Sequence, residues 1–239
     1  MKILAIIPAR GGSQGIKDKN IRLLSGKPLI AHTILCAKQS KHVSRVIVST
    51  DSPKIATISK KFGAEVPWLR PADLATATSK VVDAVLHVLE KLKKDENYIP
   101  DYIVLLQTTS PLRTPADIDQ ALDLCFEKKA DAVVSVCQTE QLLYTKTKDH
   151  QLKLVSSKEF LKSTNRQQLP QTFKLDGSMV YGIKTKVFLQ KKTFLPKNVV
   201  GYVVPRWRAV DLDEPQDFVV GELIQKNLNR LVKAIKNFK

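Results

Sequence analysis

Short apolar runs alternate with stretches of helical periodicity through the first 138 residues, and few folds accept that pattern. Residues 2–8 form an apolar run that ends in Pro8-Ala9-Arg10-Gly11-Gly12, which reads as a buried first strand feeding a glycine loop. Residues 46–50 and 102–106 repeat the apolar run, and residues 132–137 add another. Between them, Val82, Val85, Leu86, Leu89 and Leu92 share one face of a helix. Ser52 before Pro53, and Thr114-Pro115 with Asp117, mark two helix starts; Gly63 marks a stop. The pattern predicts an α/β fold: a mostly parallel sheet sandwiched by helices. The rhythm breaks in the polar, lysine-rich stretch 139–177, which is expected to leave the core as an insertion. Residues 178–183 and 199–204 predict returning strands, and residues 65–69 a short one. Ile224, Leu228, Leu231, Ile235 and Phe238 predict one long final helix over 218–238. The expected organisation is therefore a core of residues 1–138 and 178–239 around an insertion at 139–177.

Composition narrows the function classes. Hydrophobic residues make up 43% of the 239, enough to build a packed core, and no apolar run is long enough to cross a bilayer. Lys2 is not followed by an apolar segment with a small-residue cleavage site, so no signal peptide is expected and the reading is cytoplasmic. The odd set Cys36, Cys125 and Cys137 contains no CxxC pair and reads as buried thiols. The formal charge of +16 would suit a nucleic-acid binder, yet the lysines are spread along the chain on polar helix faces. Such a field would also draw in small anions.

Two segments carry candidate chemistry. Ala9, Arg10, Gly11, Gly12 and Ser13 sit where α/β sheets bind ligands, beyond the carboxyl end of a strand. Glycines admit a phosphate close to backbone N–H groups, and Arg10 offers a planar cationic fork. The spacing is neither GxGxxG nor a Walker loop, and a tight turn with a solvent-facing arginine reads equally from it. Near the other end, Asp211 and Asp213 lie two apart in an extended stretch and so point to one side, where they can share a Mg²⁺ ion. Asp213 ahead of Glu214-Pro215 is also a sound helix cap.

The run Ile7-Pro8-Ala9-Arg10-Gly11-Gly12-Ser13-Gln14-Gly15, with Lys19-Asn20-Ile21 and Gly26-Lys27-Pro28-Leu29-Ile30, resembles the opening of the acylneuraminate cytidylyltransferases. Ser49-Thr50-Asp51-Ser52, Arg70-Pro71-Ala72-Asp73-Leu74-Ala75 and Gln107-Thr108-Thr109-Ser110-Pro111-Leu112-Arg113 resemble further segments of that family. Arg166-Gln167-Gln168-Leu169-Pro170 with Asp176-Gly177 resembles its sugar-site insertion, so the resemblance spans nearly the whole chain.

The resemblance implies a Rossmann-like, GT-A-type nucleotide fold that transfers CMP from CTP to the anomeric hydroxyl of a nine-carbon acidic sugar, releasing pyrophosphate. It implies that Ala9, Arg10, Gly11, Gly12, Ser13, Asn20, Arg70 and Ser79 bind the nucleotide, and that Gln107, Lys146 and Arg166 bind the sugar. Asp211 and Asp213 would hold Mg²⁺, with Arg10 and Asp211 as the catalytic pair. The proton of the attacking hydroxyl would go to Asp211 or to a hydroxide on the metal. The family commonly has Lys at Gln14 and Asp at Ala77; Lys17 or Lys19 would restore the first charge. A homodimer is implied, with the insertion crossing to the neighbouring subunit. Legionaminic and pseudaminic acids are alternative acceptors; eight-carbon Kdo fits less well, because its enzymes resemble Pro-Ala-Arg-Leu-Gly-Ser. Outside the resemblance, a basic nucleic-acid-binding protein is the alternative.

Overall fold

The computed structural model describes residues 1–13, 15–139, 143–155, 170–175 and 179–237. The first half alternates strand and helix: β1 (Ile3–Pro8), a small hairpin of β2 (Leu23–Leu24) and β3 (Lys27–Pro28), α1 (Leu29–Lys38), β4 (Arg45–Ser49) and α2 (Pro53–Lys61). There follow α3 (Val81–Glu96), β5 (Tyr102–Leu105), α4 (Pro115–Glu127) and β6 (Ala132–Thr139). The strands β7 (Tyr144–Lys146) and β8 (Leu152–Leu154) pair only with each other. Then come β9 (Thr172–Leu175), β10 (Tyr181–Lys184), α5 (Thr185–Lys191), β11 (Val199–Val203), α6 (Pro215–Lys226) and α7 (Leu228–Asn237).

The main sheet runs β11-β6-β10-β5-β1-β4, with β9 added to the end of β6. β1 pairs in parallel with β4 and β5, and β11 in parallel with β6. β10 alone in that row of six runs against both its neighbours. The mostly parallel sheet expected from the alternation is present, with helices on both faces.

Period-two burial makes the layers. Ile3, Ala5 and Ile7 pack into one core with residues of α1, α2 and α4. Leu4 and Ile6 point the other way, into a second core with Val85, Leu89 and Leu92 of α3 and Phe188 of α5. A strand buried on both sides needs an unbroken apolar run, which is what residues 3–7 supply.

The helix starts follow local chemistry. The Ser52 hydroxyl accepts from the Ile55 N–H at 3.4 Å, and Thr114 and Asp117 form a reciprocal capping box. Gly63, at φ +86°, takes the left-handed turn that ends α2. Two expectations are corrected. The single final helix is two, with a turn at Asn227, whose side-chain amide donates to the Leu223 carbonyl at 2.9 Å. Residues 65–69 form no strand; Glu65 makes one isolated bridge to Ile47. The three cysteines are buried, and burial pushes the Cys36 thiol up to about 12. Among the described residues no helix is long and apolar enough to cross a membrane.

Phe188 is fully buried and stacks on Phe194 at 4.8 Å between ring centroids, closing the core beneath β10. Phe188→Ala should therefore cost about 3–5 kcal/mol of stability, read as a lower urea midpoint with little change in slope.

Candidate active site

Three strand exits converge at the carboxyl edge of β4, β1 and β5, and each contributes polar groups that hold the others. β1 leads into Ala9, whose N–H donates to the Ser49 carbonyl at 2.9 Å, so the glycine loop leaves the sheet tied to β4. The Gly11 N–H donates to Asp51 Oδ1 at 2.9 Å, just past the end of β4. Asn20 locks the loop from behind. Its Nδ2 donates to the Arg10 carbonyl at 2.9 Å, and its Oδ1 accepts from the Thr108 hydroxyl at 2.6 Å. Both ends of the Asn20 amide are thus bonded within the protein, which fixes the shape of the loop.

Arg10 and Arg70 converge on one hollow. The Arg10 guanidinium donates to the Thr76 carbonyl at 2.7 Å. Arg10, Arg70, Thr76, Ala77 and Ser79 line a cavity of about 200 Å³. Ser79 orders that wall: its hydroxyl donates to the Asp73 carbonyl at 3.0 Å and accepts from the Thr76 N–H at 2.9 Å. Arg70 is buried, its Nε has no partner, and its nearest carboxylate oxygen, Asp51 Oδ1, is 3.9 Å away. Burial lowers its pKa from the ordinary arginine value, with Arg10 adding to this and Asp51 opposing it. Two guanidinium groups sharing so little negative charge make a receptor for an anion.

The carboxylates lie beside the same loop. The Leu212 N–H donates to the Thr109 carbonyl at 2.9 Å, and Leu212 is buried, which points the half-buried Asp211 and the exposed Asp213 to the side away from it. Asp213 does not cap α6. The cap position belongs to Glu214, and Asp217 accepts from the Asp213 and Glu214 N–H groups at 3.0 and 2.7 Å. The Asp213 carboxylate accepts instead from Lys19 Nζ at 2.9 Å. Burial raises the pKa of Asp211 above the usual carboxylate range. Thr109 and Lys19 pull it down, while Asp213 and Asp217 push it further up. Its Oδ1 is buried without a partner. Among the described residues no group of three or more His, Cys, Asp or Glu could hold a metal, so an ion on this pair would draw its remaining ligands from elsewhere. The glycine loop packs against the backbone of this segment: a Cβ on Gly15 would lie 2.6 Å from the Asp213 main-chain carbonyl, a distance only glycine permits.

The sugar-side candidates are placed unevenly. Gln107 follows β5, and Arg113 clamps its loop by donating from Nη2 to the Gln107 carbonyl at 2.6 Å, from Nη1 to Thr33 Oγ1 at 3.2 Å and from Nε to the Met179 carbonyl. Lys146 is exposed on the β7–β8 hairpin, whose strands form a sheet of their own. Arg166 and the neighbouring Gln14 of the glycine loop lie outside the described residues. A larger groove of about 690 Å³, lined by Leu35, Trp207 and Val232, contains none of the candidates. Sequence reasoning missed Asp51, Thr108 and Thr109 as site-builders. Their place directly after apolar strands was the available signal.

The raised pKa of Asp211 has a signed consequence. Its neutral form fits the fold better, so the stability it contributes is complete below the unfolded-state value and is lost as pH rises through the folded-state value. Asp211→Asn should therefore melt higher than the parent at neutral pH in chelator, by about 2–4 °C for each kcal/mol recovered. The gap should close once the pH falls below the ordinary aspartate range. Identical melting of both proteins at pH 7 would contradict this account of the buried carboxylate.

The family model for cytidylyltransferases matches residues 4–235. The chain is 37% identical to the CMP-N,N'-diacetyllegionaminic acid synthase of Legionella pneumophila, over 97% of this chain and 100% of that protein. It is 32% identical to the N-acylneuraminate cytidylyltransferase of Escherichia coli, over 96% of this chain and 53% of that longer protein. CMP:2-keto-3-deoxy-manno-octonic acid synthetase, solved with CTP, shares the fold at a TM-score of 0.70 and 18% identity, covering 95% and 99% of the two chains. A chain matched by that model over nearly its whole length, with its arginines and paired carboxylates gathered at one edge of the sheet, is a nucleotidyltransferase and belongs to the acylneuraminate-type cytidylyltransferase family.

Proposed function

We propose that the protein transfers CMP from CTP to the anomeric hydroxyl of a nine-carbon acidic sugar of the N-acylneuraminate type, releasing pyrophosphate, with Mg²⁺ as cofactor. The observation that carries this reading is the pair of guanidinium groups, Arg10 and buried Arg70, lining one cavity, with Asp51 3.9 Å from Arg70. A nucleotide triphosphate supplies the missing negative charge, and the 200 Å³ hollow walled by Thr76, Ala77 and Ser79 suits its base end. N,N'-diacetyllegionaminic acid is the second reading, favoured by the full-length similarity to the Legionella pneumophila synthase.

Asp211 and Asp213 suit Mg²⁺: both are hard oxygen donors, and the buried Asp211 Oδ1 has no partner in the protein. When bound there, the ion would neutralise phosphate charge and favour departure of pyrophosphate. The protein's own groups do the rest. Arg10 and the glycine loop orient the triphosphate and stabilise charge that grows on the leaving phosphates. The sugar's anomeric oxygen forms a bond to the α-phosphorus while the α–β anhydride bond breaks. Asp211 takes the hydroxyl proton. No side chain needs to form a covalent intermediate.

The sugar carboxylate would be gripped by Arg166, with Gln107 and Lys146 as further contacts, and the insertion would reach the site of a second copy in a homodimer. The exposed apolar residues Leu143, Tyr144, Leu152, Val155, Phe173 and Leu175, on and beside β7, β8 and β9, support that arrangement, since burying them needs a covering partner.

Incubation with CTP and Mg²⁺ and a panel of N-acetylneuraminic, diacetyllegionaminic, pseudaminic and Kdo acids should release pyrophosphate with the nine-carbon acids. Asp211→Ala should cut that turnover about 10²-fold or more, the scale of removing one charge-stabilising group. No release with any member of the panel would defeat the proposal. Arg166→Ala should raise KM for the acid sugar at least about tenfold, the loss of a bidentate charged contact, and leave KM for CTP near the parent value. An unchanged sugar KM would remove Arg166 from the clamp.

A further inference from the structure

Lys19 stands where a dication is wanted. Its ammonium lies 2.9 Å from Asp213 Oδ1, and its side chain is only 17% exposed while that of Asp213 is 66% exposed. This is not a mobile surface lysine that happens to touch an acid. The Lys19–Ile21 turn that carries it is entered through Asp18 in the left-handed conformation, at φ +55°. Asn20, the next residue, is locked at both ends by the Arg10 carbonyl and the Thr108 hydroxyl. Asp213 is equally fixed, since its N–H is held by Asp217 and its carbonyl is packed against Gly15. Both backbones are committed, so breaking the pair takes only a side-chain movement. Meanwhile one carboxylate oxygen of Asp211 remains unpartnered beside the pair. A single ammonium on Asp213 leaves that oxygen unsatisfied, whereas a dication can take both carboxylates.

We propose that Lys19 is a built-in stand-in for the divalent ion, holding Asp213 until the ion displaces it and frees its ammonium for the nucleotide side of the site. The inference rests on the metal reading of Asp211 and Asp213 given above. Its consequence is a competition. Every ion that binds in the absence of nucleotide must first break the Lys19–Asp213 pair and then sit near a cation. The ion and the triphosphate would accordingly bind with mutual help, because the phosphates accept the displaced lysine.

The test is Mn²⁺ binding to the nucleotide-free protein, followed by the electron paramagnetic resonance of the unbound ion. Lys19→Met keeps the length of the side chain and removes its charge; Lys19→Arg keeps the charge. Lys19→Met should bind Mn²⁺ about three- to tenfold more tightly than the parent, the scale of one partly exposed ion pair plus one removed repulsion. Lys19→Arg should stay near parental affinity, and Asp213→Asn should bind markedly more weakly. Equal affinity in the parent and Lys19→Met overturns the stand-in role and leaves the metal site intact. Weaker binding in Lys19→Met overturns it too, since Lys19 would then be supporting Asp213. Absence of Mn²⁺ binding from the parent and both lysine variants overturns the metal reading itself. If Lys19→Met does not fold, Lys19→Gln makes the same comparison.

Discussion

Positive charge held with too little negative charge around it governs this structure. Arg70 is buried at the edge of the sheet, Arg10 faces the same hollow, and Asp51 reaches the first from 3.9 Å while binding the Gly11 N–H. A guanidinium out of water is costly unless paired, so the fold tolerates this arrangement only as a receptor. Every other feature of the site serves to keep it open. Asn20 braces the loop from behind, Ser79 and Thr76 fix the far wall, and Arg113 fastens the chain after β5. None of these groups needs to touch the reacting atoms to matter, because together they prevent the hollow from collapsing onto its own charge.

The carboxylate side works by the opposite imbalance. Asp211 is buried with an unpartnered oxygen, and Asp213 and Asp217 add negative charge nearby. Lys19 supplies a cation that opposes them. Leu212 between the two aspartates plugs a small apolar cluster with Ile16, Leu24, Leu29 and Phe218, and this anchors the extended segment. The surplus cations and the surplus carboxylates are brought together by Gly15, whose missing side chain lets the loop pack against the Asp213 carbonyl.

Much of this was legible in the residues because the signals were local. The apolar run 3–7 could only be a strand buried on both faces, and Ser52 and Thr114 could cap only the helices that follow them. Other features depend on partners far along the chain. The amphipathic spacing from 218 to 238 is real, yet a turn at Asn227, whose side chain bonds to a carbonyl four residues back, separates α6 from α7. Asp51 looked like part of a helix cap because Ser52 and Pro53 follow it. Its contact with Gly11 crosses 40 residues and leaves no trace in periodicity. Asp213 was equally plausible as a cap or an ion ligand, and the choice fell to Glu214 and Asp217, which took the capping duty. Lys146 sits on a hairpin that pairs only with itself, so neither pattern nor sheet register connects it to the site.

The reversed direction of β10 decides where the excursion between residues 139 and 179 is hung. β6 runs with β5 and ends at the catalytic edge, and β10 starts its return from that same edge. The departing and returning chains therefore flank the mouth of the site without a connecting arm. Under the reading proposed above, substitutions or length changes in this excursion would alter which acceptor molecule is admitted, while the loops that carry Arg10 and Arg70 hang from β1 and β4 outside it.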